Sequence, residues 1–260
     1  MEELKDFRNF LYLCWKQLNL PDPTPVQYDI ADYVQNGPKR RVIQAFRGVG
    51  KSWITSAYVC HQLLMDPSKN ILVVSASKQR SDDFSTFTLR LIHEMSILEH
   101  LKPREDQRNS KVAFDVGPAP ASHAPSVVSK GITSQITGSR ADLIIADDVE
   151  SLNNSATQMM RDKLLETIKE FDAVLKPEGE ILYLGTPQTE MTIYSALSER
   201  GYKTRIWPAR IPSESQQNRM GSTLAPLVKA LTEDSGTPID PLRFNNEDLM
   251  EREASYGRTG

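Results

Sequence analysis

QAFRGVGKS, residues 44–52, is the stretch on which the reading of this chain turns. Val42, Ile43, Gln44, Ala45 and Phe46 read as a β-strand that runs straight into it. Gly48, Val49 and Gly50 supply a flexible turn whose backbone N–H groups can wrap a polyphosphate. Lys51 has the reach for β- and γ-phosphates, and the Ser52 hydroxyl can sit on Mg²⁺. Residues 53–65 read as a helix whose N-terminal dipole faces the anion. The full pattern is G-x-x-x-x-G-K-S/T, and Ala45 stands where it has its first Gly. A bare G-K-S is common by chance, so the loop needs support from the rest of the chain.

Composition sets the outer bounds. The 260 residues are 39% hydrophobic, enough to bury one good core with a small appendage. No apolar run approaches the roughly 18 residues that cross a bilayer, and the acidic start MEELKDF is unlike an export signal. A soluble, unexported protein with no membrane partner is expected. Two cysteines, Cys14 and Cys60, make no disulfide framework, and the four histidines show no zinc-ligand spacing with them. A net charge of −3 argues against a protein that coats nucleic acid. It leaves room for local patches, with candidates at Lys39-Arg40-Arg41, at Lys102, Arg104, Arg108 and Lys111, and at Arg200, Lys203 and Arg205. Ordinary solvated surface is the competing reading of each.

Along the chain, helical periodicity covers residues 1–19, three prolines break it, and Thr24-Pro25 looks like an N-cap followed by Pro at the first helical position. Compact apolar runs at 70–75, 143–146, 181–184 and 202–207 read as strands, with helices expected at 79–101 and 156–175 and a turn at Pro177-Glu178-Gly179. Smaller strands are expected near Val112-Ala113-Phe114 and Val127-Val128. Strands that alternate with helices, and are apolar without in/out alternation, predict an α/β fold whose parallel sheet is covered on both faces. Residues 213–223 are polar and read as a linker or mobile loop, followed by short helical patterns near 224–231 and 247–256.

Ligands in such sheets bind at the carboxyl ends of the strands. The strand ending at Ala146 presents Asp147, Asp148 and, slightly beyond, Glu150. Apolar residues followed by an acid form a Walker B pattern, in which Asp147 would hold Mg²⁺ and Asp148 or Glu150 would orient or deprotonate water. A turn with solvated acids is the alternative. Gly185, Thr186 and Pro187 end another strand and could sense a γ-phosphate, or be simple turn chemistry. Gln27 could read the N6/N7 edge of adenine in bidentate fashion, or be a surface glutamine. Arg47, inside the loop, could stabilise transition-state charge. Arg140 could point at its own site, at a neighbour's site or at DNA.

The set PTPVQ, QAFRGVGKS, ILVVSASK, TGSRADLIIADDVE and YLGTPQTE, in that order and spacing, resembles the ATPase domain of the large terminase subunit, the DNA-packaging motor of tailed bacteriophages, with the short-tailed group most similar. The likeness runs from about residue 11 to beyond 208. It implies a P-loop ATPase of the additional-strand type, with a central, mostly parallel sheet flanked by helices. By that resemblance Gln27 falls at the adenine motif, and Arg47, Gly48, Val49, Gly50, Lys51 and Ser52 in a variant Walker A loop. Asp147 takes the metal role, Asp148 the catalytic-carboxylate position, and Gly185, Thr186 and Pro187 the coupling motif. Many terminases carry Glu directly after the Walker B Asp, whereas here Asp148 follows and Glu150 lies two residues on. Arg140 is the candidate for an arginine acting across a subunit boundary.

The resemblance further implies ATP and Mg²⁺ as cofactors. As partners it implies double-stranded DNA, a portal protein, the small terminase subunit and copies of the chain itself in a ring, of five by the resemblance, in the host-cell cytoplasm. The organisation expected is an ATPase domain over residues 1–210 and a lid or linker over 211–260 leading to a nuclease domain that is absent from this chain. Two rivals share parts of the pattern: a helicase-like DNA-dependent ATPase, and a nucleotide-gated assembly module with little hydrolysis.

Overall fold

The computed structural model describes residues 1–186 and 193–256. Its elements run α1 (Phe7–Gln17), α2 (Pro25–Asn36), β1 (Arg40–Ala45), α3 (Lys51–Met65), β2 (Ile71–Ser75), α4 (Lys78–Glu94), β3 (Ala113–Phe114), β4 (Val127–Gly131) and β5 (Ala141–Asp147). They continue with α5 (Leu152–Ser155), α6 (Gln158–Val174), β6 (Leu175–Gly185), α7 (Ile193–Glu199), β7 (Lys203–Trp207), α8 (Glu214–Met220), α9 (Pro226–Lys229) and α10 (Asn246–Tyr256). Several helix starts follow directly from side-chain chemistry. Thr24 and Gln27 form a capping box ahead of Pro25, while Ser77 and Thr157 accept from N–H groups in the first turns of α4 and α6.

The seven strands lie in the order β3-β4-β2-β5-β6-β1-β7, parallel throughout except for the β3–β4 pair. β6 therefore sits between β1, which feeds the glycine loop, and β5, which ends in the acids. This is the inserted strand that the resemblance implies.

Each apolar strand divides its side chains between two cores. Ile43, Val73, Ile145 and Leu182 join the cluster under α1, α2, α3 and α4, while Val42, Leu72, Ile144 and Ile181 join the cluster under α6 and α7. Successive side chains of a strand point to opposite faces. A run that is apolar at every position thus needs cover on both sides, and helices on both faces supply it.

Three local expectations are corrected. The helix expected over 79–101 ends at Glu94 because Met95 is extended, and a 3-10 segment follows over Ser96–Leu101. Pro177-Glu178-Gly179 does not end a segment; pairing passes from Ala141↔Leu175 to Leu143↔Glu180, so the turn chemistry sits within β6 as a bulge, with Glu178 at φ 65°. The polar stretch 213–223 contains α8, started by a capping box between Ser213 and Gln216. Beyond it, Leu224, Val228 and Ile239 are buried in the larger core. No helix among the described residues is long and apolar enough to cross a membrane.

Candidate nucleotide site

β1, β6, β5 and β2 end side by side, and the polar groups at their carboxyl ends meet. The loop 46–50 leaves β1 with Gly48 and Gly50 at φ 91° and 97°, a region that L side chains rarely adopt. Gly48 is also crowded: a Cβ there would lie 2.8 Å from Arg252 Nη1 and 2.9 Å from Phe244 Cζ. Ala45, by contrast, is still the last residue of β1, paired with Trp207 and without a positive φ. Regular strand geometry explains why no glycine is needed at the pattern's first position.

Lys51 opens α3 and is buried. Its Nζ donates to Ala45 O at 2.6 Å and to Thr186 Oγ1 at 3.3 Å. Burial pulls its pKa below the ordinary lysine value, while the charges of Asp148 and Asp147 push the other way. One residue on, Ser52 Oγ donates to Asp147 Oδ2 at 2.9 Å. The other carboxylate oxygen, Asp147 Oδ1, is buried with no hydrogen-bond partner. Burial, then the neighbouring Asp148, pushes the Asp147 carboxyl up to about 6; Ser52, Lys51 and Arg80 act against the shift.

An orphaned buried carboxylate oxygen is costly in a folded protein. A hydroxyl beside a carboxylate is a hard-oxygen donor pair of the kind that holds Mg²⁺ together with substrate phosphates and water. The residues fit that ion.

The two candidate water-activating carboxylates differ. Asp148 takes a left-handed backbone at φ 47°, uncommon for a non-glycine residue, and its N–H donates to Leu184 O at 3.0 Å. Glu150 Oε2 accepts from the N–H of Ile193 at 3.2 Å, so it is engaged with the start of α7, and burial pushes its pKa up. Gly185 lies against Tyr194, whose hydroxyl donates to Leu184 O at 3.1 Å. Of the expected coupling residues, Thr186 touches Lys51, and Pro187 lies outside the described residues.

Gln27 is buried rather than superficial. Its Nε2 donates to Val49 O at 2.9 Å, and its Oε1 accepts from Thr24 N at 3.1 Å and Trp15 Nε1 at 3.2 Å. Both ends of the amide therefore act on the protein itself, and the bidentate adenine pose expected from the sequence is not the arrangement observed. Arg47 is exposed on the loop, and its charge helps to lower the Lys51 pKa.

Arg140 requires a correction. It immediately precedes β5, and Asp147 ends that strand. The strand's length, on the order of 20 Å, separates them. Arg140 instead lines a depression with Lys39, Arg40 and Glu178 at the amino ends of the strands, so its own-site role is excluded. Arg41 also leaves the proposed basic patch. It is fully buried, with Nη1 donating to Pro38 O at 3.0 Å and Glu180 Oε1 at 3.2 Å. Lys39 pairs with Glu178, Arg40 with Asp172, and Arg108 with Asp115 and the carbonyls of Ser122 and His123. Arg205 lies over the Tyr33 ring, 4.3 Å from its centroid.

Sequence reasoning missed the residues that reach the loop from the far end of the chain. Arg243 Nε donates to Gly48 O at 2.6 Å, Arg252 Nη1 to Arg47 O at 3.3 Å, and the Phe244 ring meets Phe46 edge-on. An Arg-Phe pair in a polar, non-periodic stretch carries no local signal of such a position. Arg80, near enough to lower the Asp147 pKa, lies in the first turn of α4, two residues beyond the ILVVSASK run, and carried no signal of that place.

No protein-family model matches the chain. It is 51% identical to the large terminase subunit of Enterobacteria phage T3, over 98% of this chain and 45% of that protein. It thus spans less than half the length of that relative. Among solved structures it resembles the large terminase ATPase domain of Thermus phage P74-26, at 18% identity, TM-score 0.43 and coverage of 70% of this chain and 71% of that one. It also resembles the yeast DEAD-box splicing factor Prp28, at 12% identity, TM-score 0.49 and coverage of 74% and 47%. With these scores the fold assignment rests on the strand order and register. Over nearly its whole length, the chain is similar to the large terminase subunit of phage T3.

Proposed function

We propose that this chain is the ATP-hydrolysing motor part of a large terminase subunit, driving double-stranded DNA into a viral shell. The observation that carries the reading is the buried contact of Ser52 Oγ with Asp147 Oδ2, beside Lys51 and with the second Asp147 oxygen unsatisfied. The relation to the phage T3 subunit supports it.

In this reading the N–H groups of the loop 48–52 bind the phosphates, and Lys51 exchanges the carbonyl of Ala45 for the β- and γ-phosphate oxygens. Ser52 and Asp147 would hold Mg²⁺, which when bound neutralises phosphate charge. Asp148 orients the attacking water or takes its proton. Glu150 fits a supporting role, since its carboxylate already holds Ile193 N. Arg47 neutralises charge developing on the transferred group. Thr186, on Lys51, with Gly185 and Pro187 passes the state of the site to the following helix. Gln27 acts on the nucleotide through the loop it holds. Arg140, excluded from its own site, serves a neighbour's site in a ring of copies docked on a portal with the small subunit. Residues 1–210 form the ATPase unit in this reading, and 211–260 the lid that leads toward the remainder of a terminase.

Phosphate release measured per chain as protein concentration rises, with wild type alone and doped with Arg140→Ala, tests the reading. Specific activity that climbs with concentration and is poisoned by doped chains is expected. Constant activity per chain, merely diluted by doping, would remove the trans role of Arg140; absence of turnover at every concentration, with DNA and Mg²⁺ present, would remove the motor.

A further inference from the structure

The outer side of the phosphate loop is tied at three successive carbonyls by side chains from elsewhere. Arg252 bonds Arg47 O, Arg243 bonds Gly48 O and Gln27 bonds Val49 O. Two of the three ties come from residues about 200 positions downstream, and they are not isolated contacts. Thr24 Oγ1 accepts from the N–H of Gln27 and donates to the buried carboxylate of Asp240 at 2.8 Å. Asp240 O in turn accepts the N–H groups of Arg243 and Phe244. The circuit closes: Val49, Gln27, Thr24, Asp240, Arg243, Gly48. Phe244 fills its middle, edge-on to Phe46 and covered by both guanidinium groups, with Arg252 4.1 Å and Arg243 5.5 Å from the ring centroid.

A peptide whose carbonyl is held outward has its N–H turned the opposite way. Tying Arg47 and Val49 through their oxygens therefore turns the N–H groups of Gly48 and Gly50 to the inner, phosphate-facing side, while the Val49 N–H closes the turn on Phe46 O at 3.4 Å. A loop already in that state gives up less conformational freedom when an anion arrives. The positive φ of Gly48 and the closeness of Arg252 and Phe244 mean that a side chain at position 48 would strain the loop and press on the docked downstream segment.

We propose that Arg243 and Arg252 are positioning residues that preorganise the phosphate loop from outside, so that docking of residues 236–256 and binding of a nucleoside polyphosphate strengthen each other. The inference rests on the nucleotide-site reading above. Reciprocity is obligatory for two equilibria coupled in this way: what the docked segment adds to nucleotide affinity, nucleotide adds to docking. A segment at the far end of the chain thereby reports whether the loop is filled.

The test is a titration of the full chain with a fluorescent ADP analogue and Mg²⁺, paired with hydrogen exchange over residues 236–256 with and without ADP. Wild type should bind, and ADP should slow exchange in that segment. Arg243→Ala should weaken binding about tenfold, the scale of one charge-assisted hydrogen bond, and abolish the ADP-induced slowing. Arg252→Ala, which removes a longer hydrogen bond to the loop, 3.3 Å against 2.6 Å, should do the same to a smaller degree. Arg243→Lys, which keeps a donor at that place, should recover part of both effects, and an unchanged melting temperature marks variants that fold. Binding by both alanine variants within about twofold of wild type, or exchange over 236–256 indifferent to ADP in wild type that binds it, would overturn the proposal while leaving the nucleotide site intact. Failure of wild type itself to bind ADP would take down the site and the proposal together. Lys51→Ala separates the two levels: it should lose affinity without changing exchange over 236–256 in nucleotide-free protein.

Discussion

The two ends of one sheet carry much the same residue types to opposite effect. At the carboxyl ends, Lys51, Ser52 and Asp147 are drawn into contact, with the lysine held down and the aspartate held up by burial. At the amino ends, Lys39, Arg40, Arg140, Asp172 and Glu178 line an open depression, and their pairs stand in water. Charges that solvent can reach are screened and worth little, whereas charges taken out of water acquire large, specific interactions. Position along a strand, rather than residue type, separates a site from a surface here. A parallel sheet makes that separation because its turns into helices fall together at one end.

The comparison can be broken or sharpened by substitution. The largest effect expected is on turnover: Lys51→Ala should cost about 4 kcal/mol of barrier, roughly a thousandfold in rate, measured as phosphate release. Next, two adjacent arginines contrast buried with half-buried. Arg41→Ala should destabilise the fold by about 3–5 kcal/mol in a denaturant titration, because it strands Glu180 and two backbone carbonyls. Arg40→Ala should cost less than about 1 kcal/mol in the same titration, since its pair with Asp172 is solvated.

Asp147→Asn should lose turnover yet gain stability without nucleotide. The folded chain raises this carboxyl to about 6 from an ordinary 3.8, so it binds the proton more tightly than the unfolded chain does. Stability from this group is therefore greatest below about pH 4, declines as pH rises to about 6, and stays lower by on the order of 3 kcal/mol above that. Melting curves of the variant should lack that decline and lie above wild type at pH 8. The smallest effect is Arg140→Ala, which should leave the chain's own stability and ADP affinity unchanged to within about 0.5 kcal/mol, by thermal melting and titration.

Much of this was legible in local sequence. The capping box at Thr24 and Gln27, the glycine loop, the apolar strands and the acids ending β5 each announce themselves within a few residues, because each is set by short-range geometry. The inserted strand followed from the resemblance and is borne out by the register. What could not be read is set at long range. Arg41 looks like its neighbour Arg40 in sequence, and only the alternation of β1 against α2 buries one fully and leaves the other half-buried. For Gln27 the sequence offers an adenine reader or a surface glutamine, and the burial that ties its amide to Trp15, Thr24 and a carbonyl 22 residues away has no local signal. Arg243 lies in a stretch with no period and Arg252 on a short helix that points to no partner by itself; their place over the loop comes from burial of Ile239 and Asp240 beside α2.

The most direct test of the account is calorimetric titration of wild type and Asp147→Asn with ATP, in the presence and absence of Mg²⁺. The account predicts that Mg²⁺ strengthens ATP binding to wild type at least tenfold, about 1.4 kcal/mol, and adds little for the variant. An equal Mg²⁺ effect in both would contradict the assignment of Ser52 and Asp147 as the cation-holding pair, and with it the reading of the carboxyl ends of the sheet as a nucleotide site.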